Sequence, residues 1–531
     1  MSTITTHATA LDAKLGKGPG RLGTLVFVAV LLVGGLYVAA SLAADLPTIH
    51  GRSILPFVLL GIALFVALGF EFVNGFHDTA NAVATVIYTH SLDPHIAVVW
   101  SGAWNFLGVL TSSGAVAFGI ISLLPVELIL QVGSGAGFAM VFALLVAAIL
   151  WNLGTWYLGL PASSSHTLIG SIIGVGIANQ MMMPRSGTSG VDWLQAAGVG
   201  KSLLVSPIVG FFCAAVLLLV VKRLVRDKAL YQAPEGVKPP PFWIRGLLLL
   251  TCTGVSFAHG SNDGQKGMGL IMLILIGTVP TSYALNHAVT PQESQDFIAV
   301  SREAADTLDR YVNRAAVVGD PRQDVTEYVR THELTPNTTL ALRALVNDVG
   351  NQVALFKELS KVPDDRVPNI RNDMYLVSEA LRLMAKSRQG DISPADWAIL
   401  NNYRGHLDRS TRFIPTWVKV AVAIALGLGT MIGWKRIVVT VGEKIGKTHL
   451  SYAQGAAAEI TAMATIGAAD HFGLPVSTTH VLSSGVAGTM AANHSGLQWS
   501  TVRNLLMAWV LTLPAAMVLS GFLFWVFRLT F

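Results

Sequence analysis

The sequence predicts an all-α polytopic membrane protein that carries one small polar insert. Of its 531 residues, 52% are hydrophobic and only 13% are charged, whereas soluble domains have about 25% charged residues. Long runs without charge approach or exceed the ~20 residues that a helix needs to cross the hydrocarbon core. The missing charge is concentrated in residues 284–413. These three observations exclude a soluble globular protein.

Nine apolar runs predict the membrane helices. They lie at about 22–44, 54–73, 96–125, 136–160, 202–221, 243–283 (interrupted), 414–434, 455–473 and 502–528. The first run is too long for a signal-peptide core and has no small-residue cleavage site, so it predicts a retained span. The basic residues Lys14, Lys17 and Arg21 place residues 1–21 in the cytoplasm.

Residues 284–413 predict a small, water-exposed helical domain. A helical pattern at 373–387 supports this, and the absence of any catalytic motif favours a structural or regulatory role. The side of the membrane depends on the run 243–283. One crossing makes the insert periplasmic, because the basic stretches at 222–245 and 435–447 are both typical of cytoplasmic ends. Two crossings make it cytoplasmic. We favour the single crossing.

Charge and cysteine content exclude several other classes. The net charge of +5 is explained by Lys and Arg at cytoplasmic helix ends, so we expect no nucleic-acid partner. Cys213 and Cys252 lie in apolar runs with neither metal-site spacing nor a disulfide framework. The chain also lacks a GxxxxGK[ST] loop, which argues against an ATP-driven pump.

Two motifs occur twice, in the same order. "GFHDTANA" at 75–82 matches "HGSNDGQKG" at 259–267 when Asp78 is laid on Asp263, and "GLPASSSH" at 159–166 matches "GLPVSTTH" at 473–480. Two ordered pairs indicate gene duplication, and inverted repeats are common in secondary transporters. The predicted units are an N-terminal tail with an extra helix (1–53), a first repeat (54–225), a second repeat (226–283 and 414–531) and the insert (284–413).

The motifs also predict breaks in the helices. Gly75, Gly260 and Gly264 can interrupt a helix, and Pro161 and Pro475 suit the first turn of a new one. We therefore expect broken helices and two re-entrant hairpins, at about 161–180 and 475–492. Their helix N-termini would point at the centre of the membrane.

Hydroxyl clusters at these helix starts suit an oxyanion. A helix N-terminus offers free N–H donors and a partial positive charge. Hydroxyl groups add three further donors at each start, so that a dianion could be held without a strong fixed charge. The predicted binding residues of this kind are Ser163, Ser164, Ser165, Ser477, Thr478 and Thr479.

Asp78 and Asp263 lie in apolar segments, where ionisable groups are expensive and usually functional. They would repel an anion unless protonated or paired with a cation. They could also accept the proton of HPO4²⁻ or H2PO4⁻, which sulfate lacks at neutral pH. The alternative is that each aspartate caps the following helix.

Neighbouring amides and imidazoles complete the predicted site. Asn81 and Asn262 belong to the duplicated aspartate motifs as further binding residues. His77, His166, His480 and His259 flank the four motifs, and they serve either as a proton relay or as packed hydrogen-bonding groups.

These motifs resemble the inorganic phosphate transporter (PiT) family, and more narrowly its bacterial proton-coupled Pit permeases. The resemblance covers almost all of the chain from about residue 54. It implies an inverted-repeat fold in the bacterial inner membrane, no enzyme activity and no cofactor. It further implies uptake of phosphate with protons, as a neutral complex with a divalent cation such as Mg, Ca, Zn or Mn. The metal ligands are unknown, and a homodimer is one candidate assembly.

The second aspartate motif departs from the sodium-coupled relatives, which carry Asn-Asp-x-x-Asn in both halves. Here Lys266 stands where the first copy has Asn81. A fixed ammonium there could replace a cation and pair with a nearby carboxylate. We hypothesise that Lys266, with Asp78 and Asp263, makes the coupling ion a proton rather than sodium.

Other functions remain open at this point. An intramembrane hydrolase would need Ser165 or Thr479 in one geometry with a base and a carboxylate, but the hydroxyls come in threes and the clusters come twice. A channel, a sodium-coupled phosphate carrier, or a carrier of arsenate or sulfate are the remaining alternatives.

Overall fold

A computed structural model describes residues 20–46, 55–78, 80–130, 133–182, 191–234, 239–317 and 319–530, without the side chains of residues 80, 81 and 127. Helices dominate these residues, and the β-structure found among them is one antiparallel bridge between Gly446 and Leu497. The all-α class is therefore confirmed. The predicted cytoplasmic segment 1–21 lies almost wholly outside the described residues.

The first part of the chain forms helices that follow the predicted apolar runs. They are α1 (Arg21–Asp45), α2 (Leu55–Asp78), α3 (Ala80–Tyr88), α4 (Pro94–Thr111), α5 (Ala115–Ile121), α6 (Val126–Leu130), α7 (Gly135–Tyr157), α8 (Ser164–Met182), α9 (Trp193–Leu224) and α10 (Phe242–Thr278). A short 3₁₀ helix at Lys228–Tyr231 follows α9.

The second part contains the polar helices and the remaining apolar ones. They are α11 (Pro280–Tyr283), α12 (Pro291–Asp309), α13 (Pro321–Thr331), α14 (Thr338–Phe356), α15 (Val367–Ser387), α16 (Pro394–Thr411), α17 (Thr416–Gly429), α18 (Lys435–Val439), α19 (Tyr452–His471), α20 (Thr478–Ala492) and α21 (Trp499–Arg528). A 3₁₀ turn at Leu359–Lys361 precedes α15, and a π-helical turn at Thr440–Lys444 follows α18.

Several helices of the described residues are long and apolar enough to cross a membrane. Six pass by length and composition, and the number rises to eight if each of two bent pairs is one span. The pairs are α4 with α5, bent by 75°, and α16 with α17, bent by 73°. The six are α1, α2 continued through α3, α7, α9, α10 and α21.

The helix α10 differs from the predicted interrupted run. It continues for 37 residues, which corresponds to about 55 Å at 1.5 Å per residue. An unbroken helix crosses a membrane at most once, so its two ends lie on opposite sides if it spans. This favours the single crossing over the double one. The periplasmic position of residues 284–413 stays a prediction.

The prediction that Gly75, Gly260 and Gly264 break helices is wrong, because all three lie inside continuous helices. Their shared function is close packing of helices. A Cβ atom at Gly260 would lie 2.7 Å from the Cα of Asn105 on α4, and one at Gly264 would lie 2.6 Å from the Val109 side chain. Small residues allow such close approach between membrane helices.

The polar helices α12–α16 pack against one another as a unit that shares its hydrophobic core with the apolar helices, and several of its charges are paired. Arg322 on α13 makes a bidentate contact with Asp373 on α15, at 2.6 and 2.7 Å. The helical pattern at 373–387 is confirmed as part of α15. Arg382 joins this unit to the start of α9, where its guanidinium lies 3.0 Å from the carboxylate of Asp192. The exposure of the unit to water and the domain bounds stay predictions.

The extra N-terminal helix α1 packs along α17. A Cβ atom at Gly34 would lie 2.7 Å from the Ile424 side chain, which shows how closely the two helices approach. At its end, the Tyr283 hydroxyl donates to the Asp45 carboxylate at 2.6 Å. The helix is thus held to the rest of the bundle both along its length, at Gly34, and at its C-terminal end, at Asp45.

The packing role of Gly260 can be tested with Gly260→Ala, matched by Gly246→Ala on the same helix. A Cβ atom at Gly246 meets nothing within 4 Å. Overpacking should destabilise Gly260→Ala by about 1–3 kcal/mol, whereas Gly246→Ala should gain up to about 1 kcal/mol of helix propensity. Thermal unfolding in detergent measures both. A Gly260→Ala protein that melts at or above the wild type would contradict the packing role.

Candidate functional site

Asp78 is the point at which three helices meet. It ends α2, and its carboxylate accepts hydrogen bonds from Ser164 Oγ at 2.5 Å and Thr479 Oγ1 at 2.8 Å. Ser164 is the first residue of α8 and Thr479 lies in the first turn of α20. The first aspartate motif therefore meets both hydroxyl clusters. The two helix starts converge on one buried carboxylate.

The two helices begin where they do because of serine caps. Ser163 Oγ accepts from the backbone N–H of His166 at 3.2 Å, and Ser477 Oγ accepts from that of His480 at 3.1 Å. Both are N-cap contacts. The expectation that Pro161 and Pro475 occupy the first turns is wrong, since each lies three residues before its helix. Of the predicted hydroxyls, Ser163 and Ser477 thus bond the backbone instead of facing Asp78.

A further side chain that contacts Asp78 is the imidazole of His77. His77 Nδ1 lies 2.9 Å from Asp78 Oδ1, and His77 Nε2 lies 3.0 Å from the Thr155 hydroxyl on α7. Both ring nitrogens therefore have partners, which fixes the orientation of the ring. The Asn81 side chain lies outside the described residues.

The second aspartate motif forms a buried ion pair. Lys266 Nζ lies 2.6 Å from Asp263 Oδ1, and neither side chain is exposed. The hypothesis that Lys266 pairs with a nearby carboxylate therefore agrees with the structure. His259 Nε2 lies 3.5 Å from Asp263 Oδ2, while its Nδ1 lies 2.7 Å from Asn105 Oδ1. The alternative of Asp263 as a helix cap is wrong, since it lies in the middle of α10.

Lys266 also connects the two hydroxyl segments. It donates to Ser165 Oγ on α8, and Ser165 in turn donates to the carbonyl of Val476 at 2.8 Å. Asn262 reaches the same segment, because its Nδ2 donates to the carbonyl of Leu474 at 3.2 Å. The second aspartate motif is therefore bonded to the segment before α20. The Thr478 hydroxyl has no hydrogen-bond partner among the described residues.

His166 and His480 occupy a different environment. Their ring centroids are 4.5 Å apart, and His480 stacks on Trp509 at 4.2 Å. Both line a cavity of about 740 Å³ whose walls are mostly apolar. In the part of the chain that the structure describes, neither is hydrogen-bonded to Asp78 or Asp263. The geometry thus favours packing for this pair, and a proton relay through it stays a prediction.

The sequence reasoning missed two buried carboxyls and one amide. Glu71 and Glu459 are fully buried, and Asn105 is bonded to His259. Glu459 accepts from the Thr251 hydroxyl. A signal existed, because ionisable residues inside apolar runs are expensive. Neither glutamate belongs to a duplicated motif, so the repeats did not reveal them.

Three of the buried groups could hold a metal ion. Asp78, His259 and Asp263 each offer a ligand atom, and these atoms all lie within 4.8 Å of one another. Carboxylate oxygens suit Mg²⁺, Ca²⁺ and Mn²⁺, whereas an imidazole favours Zn²⁺. A divalent cation bound here would compete with Lys266 for Asp263.

A hydrolase is not supported by these contacts. Nucleophilic catalysis needs a base between the hydroxyl and the carboxylate. Thr479 donates directly to Asp78, and Ser165 donates to a backbone carbonyl. Thr479 has no base between it and Asp78. Lys266 beside Ser165 is engaged as an ammonium by Asp263, so neither hydroxyl is held as an activated nucleophile.

Apolar helices that surround converging helix starts and paired buried charges define a membrane transporter. Comparison with known proteins narrows this class. Residues 74–520 match PHO4, the phosphate transporter family. The chain belongs to this family, whose named members here are transporters rather than enzymes. It is a multi-pass protein of the bacterial inner membrane.

Individual relatives are similar over most of their length. The chain is 44% identical to the low-affinity inorganic phosphate transporter PitA of Escherichia coli K12, over 88% of this chain and 96% of that protein. It is 42% identical to PitB of the same organism, over 90% and 98%. It is 28% identical to a probable low-affinity inorganic phosphate transporter of Bacillus subtilis, over 89% of this chain and 98% of that protein.

The chain is also similar to a solved structure, that of a sodium-dependent phosphate transporter. It gives a TM-score of 0.49 at 18% identity, covering 89% of this chain and 100% of that chain. That similarity is too weak for a comparison of the two sites.

Proposed function

We propose that this protein carries inorganic phosphate into the cell across the inner membrane by proton symport. The observation that carries the proposal is the meeting of two hydroxyl-bearing helix starts at Asp78. Helix N-termini are ready-made sites for phosphate oxygens. Relatives that are 44% and 42% identical to this chain are named low-affinity inorganic phosphate transporters.

Asp78 sets the condition for anion entry. Its carboxylate accepts hydrogen bonds from the hydroxyls of Ser164 and Thr479, which an oxyanion would also use. An incoming anion must therefore share these donors with a carboxylate and avoid its charge. Hydrogen phosphate can do so, because its own O–H donates to the carboxylate. Sulfate has no such proton at neutral pH, while arsenate does and should be carried.

A divalent cation offers a second way to remove the repulsion. Asp78, His259 and Asp263 could bind Mg²⁺, Ca²⁺, Zn²⁺ or Mn²⁺ that arrives with phosphate as a neutral complex. In this proposal the cation is cargo, and the chain supplies only ligands that exchange. Phosphate binding that relies on hydroxyl and N–H donors, rather than on a strong fixed positive charge, suits release of the phosphate on the cytoplasmic side.

Lys266 supports protons as the coupling ion. Its ammonium is buried against Asp263 and Ser165, at the position where the first copy of the motif has Asn81. A fixed positive charge repels Na⁺ from that position. The carboxylates around it then need protons, rather than sodium, to change their charge during the cycle.

Uptake of labelled phosphate into proteoliposomes tests the function. An inwardly directed proton gradient should drive accumulation, a sodium gradient alone should not, and Mg²⁺ should increase uptake. Arsenate should compete and sulfate should not. Uptake that ignores the proton gradient would overturn the coupling, and inhibition by equimolar sulfate would overturn the selectivity.

The role of Lys266 can be tested with Lys266→Asn, matched by Lys201→Asn at an exposed position on α9. Removing the ammonium leaves Asp263 buried without its main partner, which costs several kcal/mol unless a cation replaces it. Proton-driven uptake should therefore fall, and sodium should restore part of it. Lys201→Asn should behave like the wild type. A Lys266→Asn protein with unchanged proton coupling and no response to sodium would remove Lys266 from the explanation.

A further inference from the structure

We propose that Glu71 is the group that binds and releases the coupling proton, an assignment that rests on the proposed proton symport. Glu71 lies on α2, seven residues before Asp78. Seven residues are close to two helical turns, so both side chains leave the helix on the same side. Glu71 is fully buried and belongs to neither duplicated motif.

The carboxyl of Glu71 lies against the backbone of α10, beside Lys266. A Cβ atom at Gly267 would lie 2.6 Å from the Glu71 carboxyl carbon. The space that the missing side chain of Gly267 leaves is therefore filled by this carboxyl. Gly267 directly follows Lys266, so Glu71 sits at the second aspartate motif although it belongs to the helix of the first.

Glu71 has few partners for a buried carboxyl. Asn74 Nδ2 donates to its Oε2 at 3.4 Å, which is long for a hydrogen bond. Its Oε1 has no hydrogen-bond partner among the described residues. An ionised carboxylate whose one side-chain hydrogen bond is this long is costly inside a membrane. A carboxylic acid at the same place is not, so this position favours a bound proton.

The charged groups around Glu71 explain why a proton on its carboxyl would matter for transport. Asp263 and Lys266 act on Glu71 from α10, with His259 beside Asp263. His77 and Asp78 follow Glu71 on its own helix. Lys266 is already engaged by Asp263 at 2.6 Å. One ammonium cannot neutralise the carboxylates of Asp263 and Glu71 together, so ionisation of Glu71 adds a negative charge that Lys266 does not balance.

Other helices packed against α2 do not change this count. Lys419 on α17 donates to the carbonyl of Ser112 at 2.9 Å. His166 on α8 packs against His480. The helix α7 carries no Asp, Glu, Lys, Arg or His.

Anion binding and proton binding are then linked. A phosphate at Ser164 and Ser165 attracts Lys266 and weakens its pairing with Asp263. A proton on a Glu71 oxygen removes the negative charge that would otherwise be left behind. One proton therefore enters with the anion from outside, and Glu71 returns it to water on the inside after phosphate leaves.

Asp78 and Asp263 are less suited to this role, because their oxygens hold the site together. Asp78 orders two helix starts through Ser164 and Thr479, and Asp263 holds Lys266. Protonation of either would remove an acceptor that a neighbouring donor needs. Glu71 can change its charge while those contacts remain.

The test is Glu71→Gln, which mimics the permanently protonated form, with Glu71→Asp as the matched control that keeps a titratable carboxyl. Accumulation of phosphate driven by a proton gradient should fall at least about tenfold in Glu71→Gln, within the usual range of coupling between two ligands. Exchange of internal for external phosphate needs no net proton movement and should continue. Glu71→Asp should keep accumulation but shift its pH dependence.

The outcomes separate this inference from the proposed function. Wild-type uptake that ignores the proton gradient overturns symport itself. If the wild type is coupled to protons and Glu71→Gln is fully coupled too, only the role of Glu71 is overturned. The same conclusion follows if Glu71→Gln elutes as a folded species but has lost both accumulation and exchange. If Glu71→Gln does not fold, an unshifted pH dependence in Glu71→Asp contradicts the inference.

Discussion

The whole site depends on one constraint, which is that a charge buried among apolar helices must have a partner. Asp78 meets this constraint with hydroxyls from two helix starts, and Asp263 meets it with Lys266. The contacts to Asp78 join parts of the chain that are far apart in sequence, and Lys266, which pairs with Asp263 within α10, also donates to Ser165 on α8. The same contacts that neutralise the charges therefore fix the positions of α8, α10 and α20. In the proposed function, stability and phosphate binding share one set of atoms, so a change in the charge of Asp78 or Asp263 would alter helix contacts.

Close packing of the helices makes these contacts possible. Gly260 and Gly264 bring α10 against α4, and Gly267 leaves room for Glu71. A larger side chain at any of these positions would separate the helices and lengthen the contacts to Asp263 and Lys266. Helix association in lipid relies on such packing, because lipid offers no hydrophobic drive for it. The glycines of the second aspartate motif thus set the geometry of the ion pair.

The sequence was informative at positions where burial of a charge costs free energy. Charged residues in apolar runs indicated Asp78, Asp263 and Lys266, and the repeated motifs indicated that both hydroxyl clusters belong to one site. It was misleading about glycine, because the same residue permits a break and permits close packing, and only the neighbouring helix decides which. It could not separate Ser163 and Ser477, which cap helices, from Ser164 and Thr479, which contact Asp78. That difference depends on where each helix begins, three residues after the proline.

Cross-linking of Ser164→Cys with Thr479→Cys tests the central claim most directly. In a protein with Cys213 and Cys252 replaced by serine, mercuric ion should join these two thiols in membranes, as read by mass spectrometry of the digested protein, and phosphate should slow the reaction. The pair Ser171→Cys and Thr489→Cys, buried farther along the same two helices, should not be joined. Equal cross-linking of both pairs, or none between residues 164 and 479, would contradict the convergence of the two helix starts on Asp78.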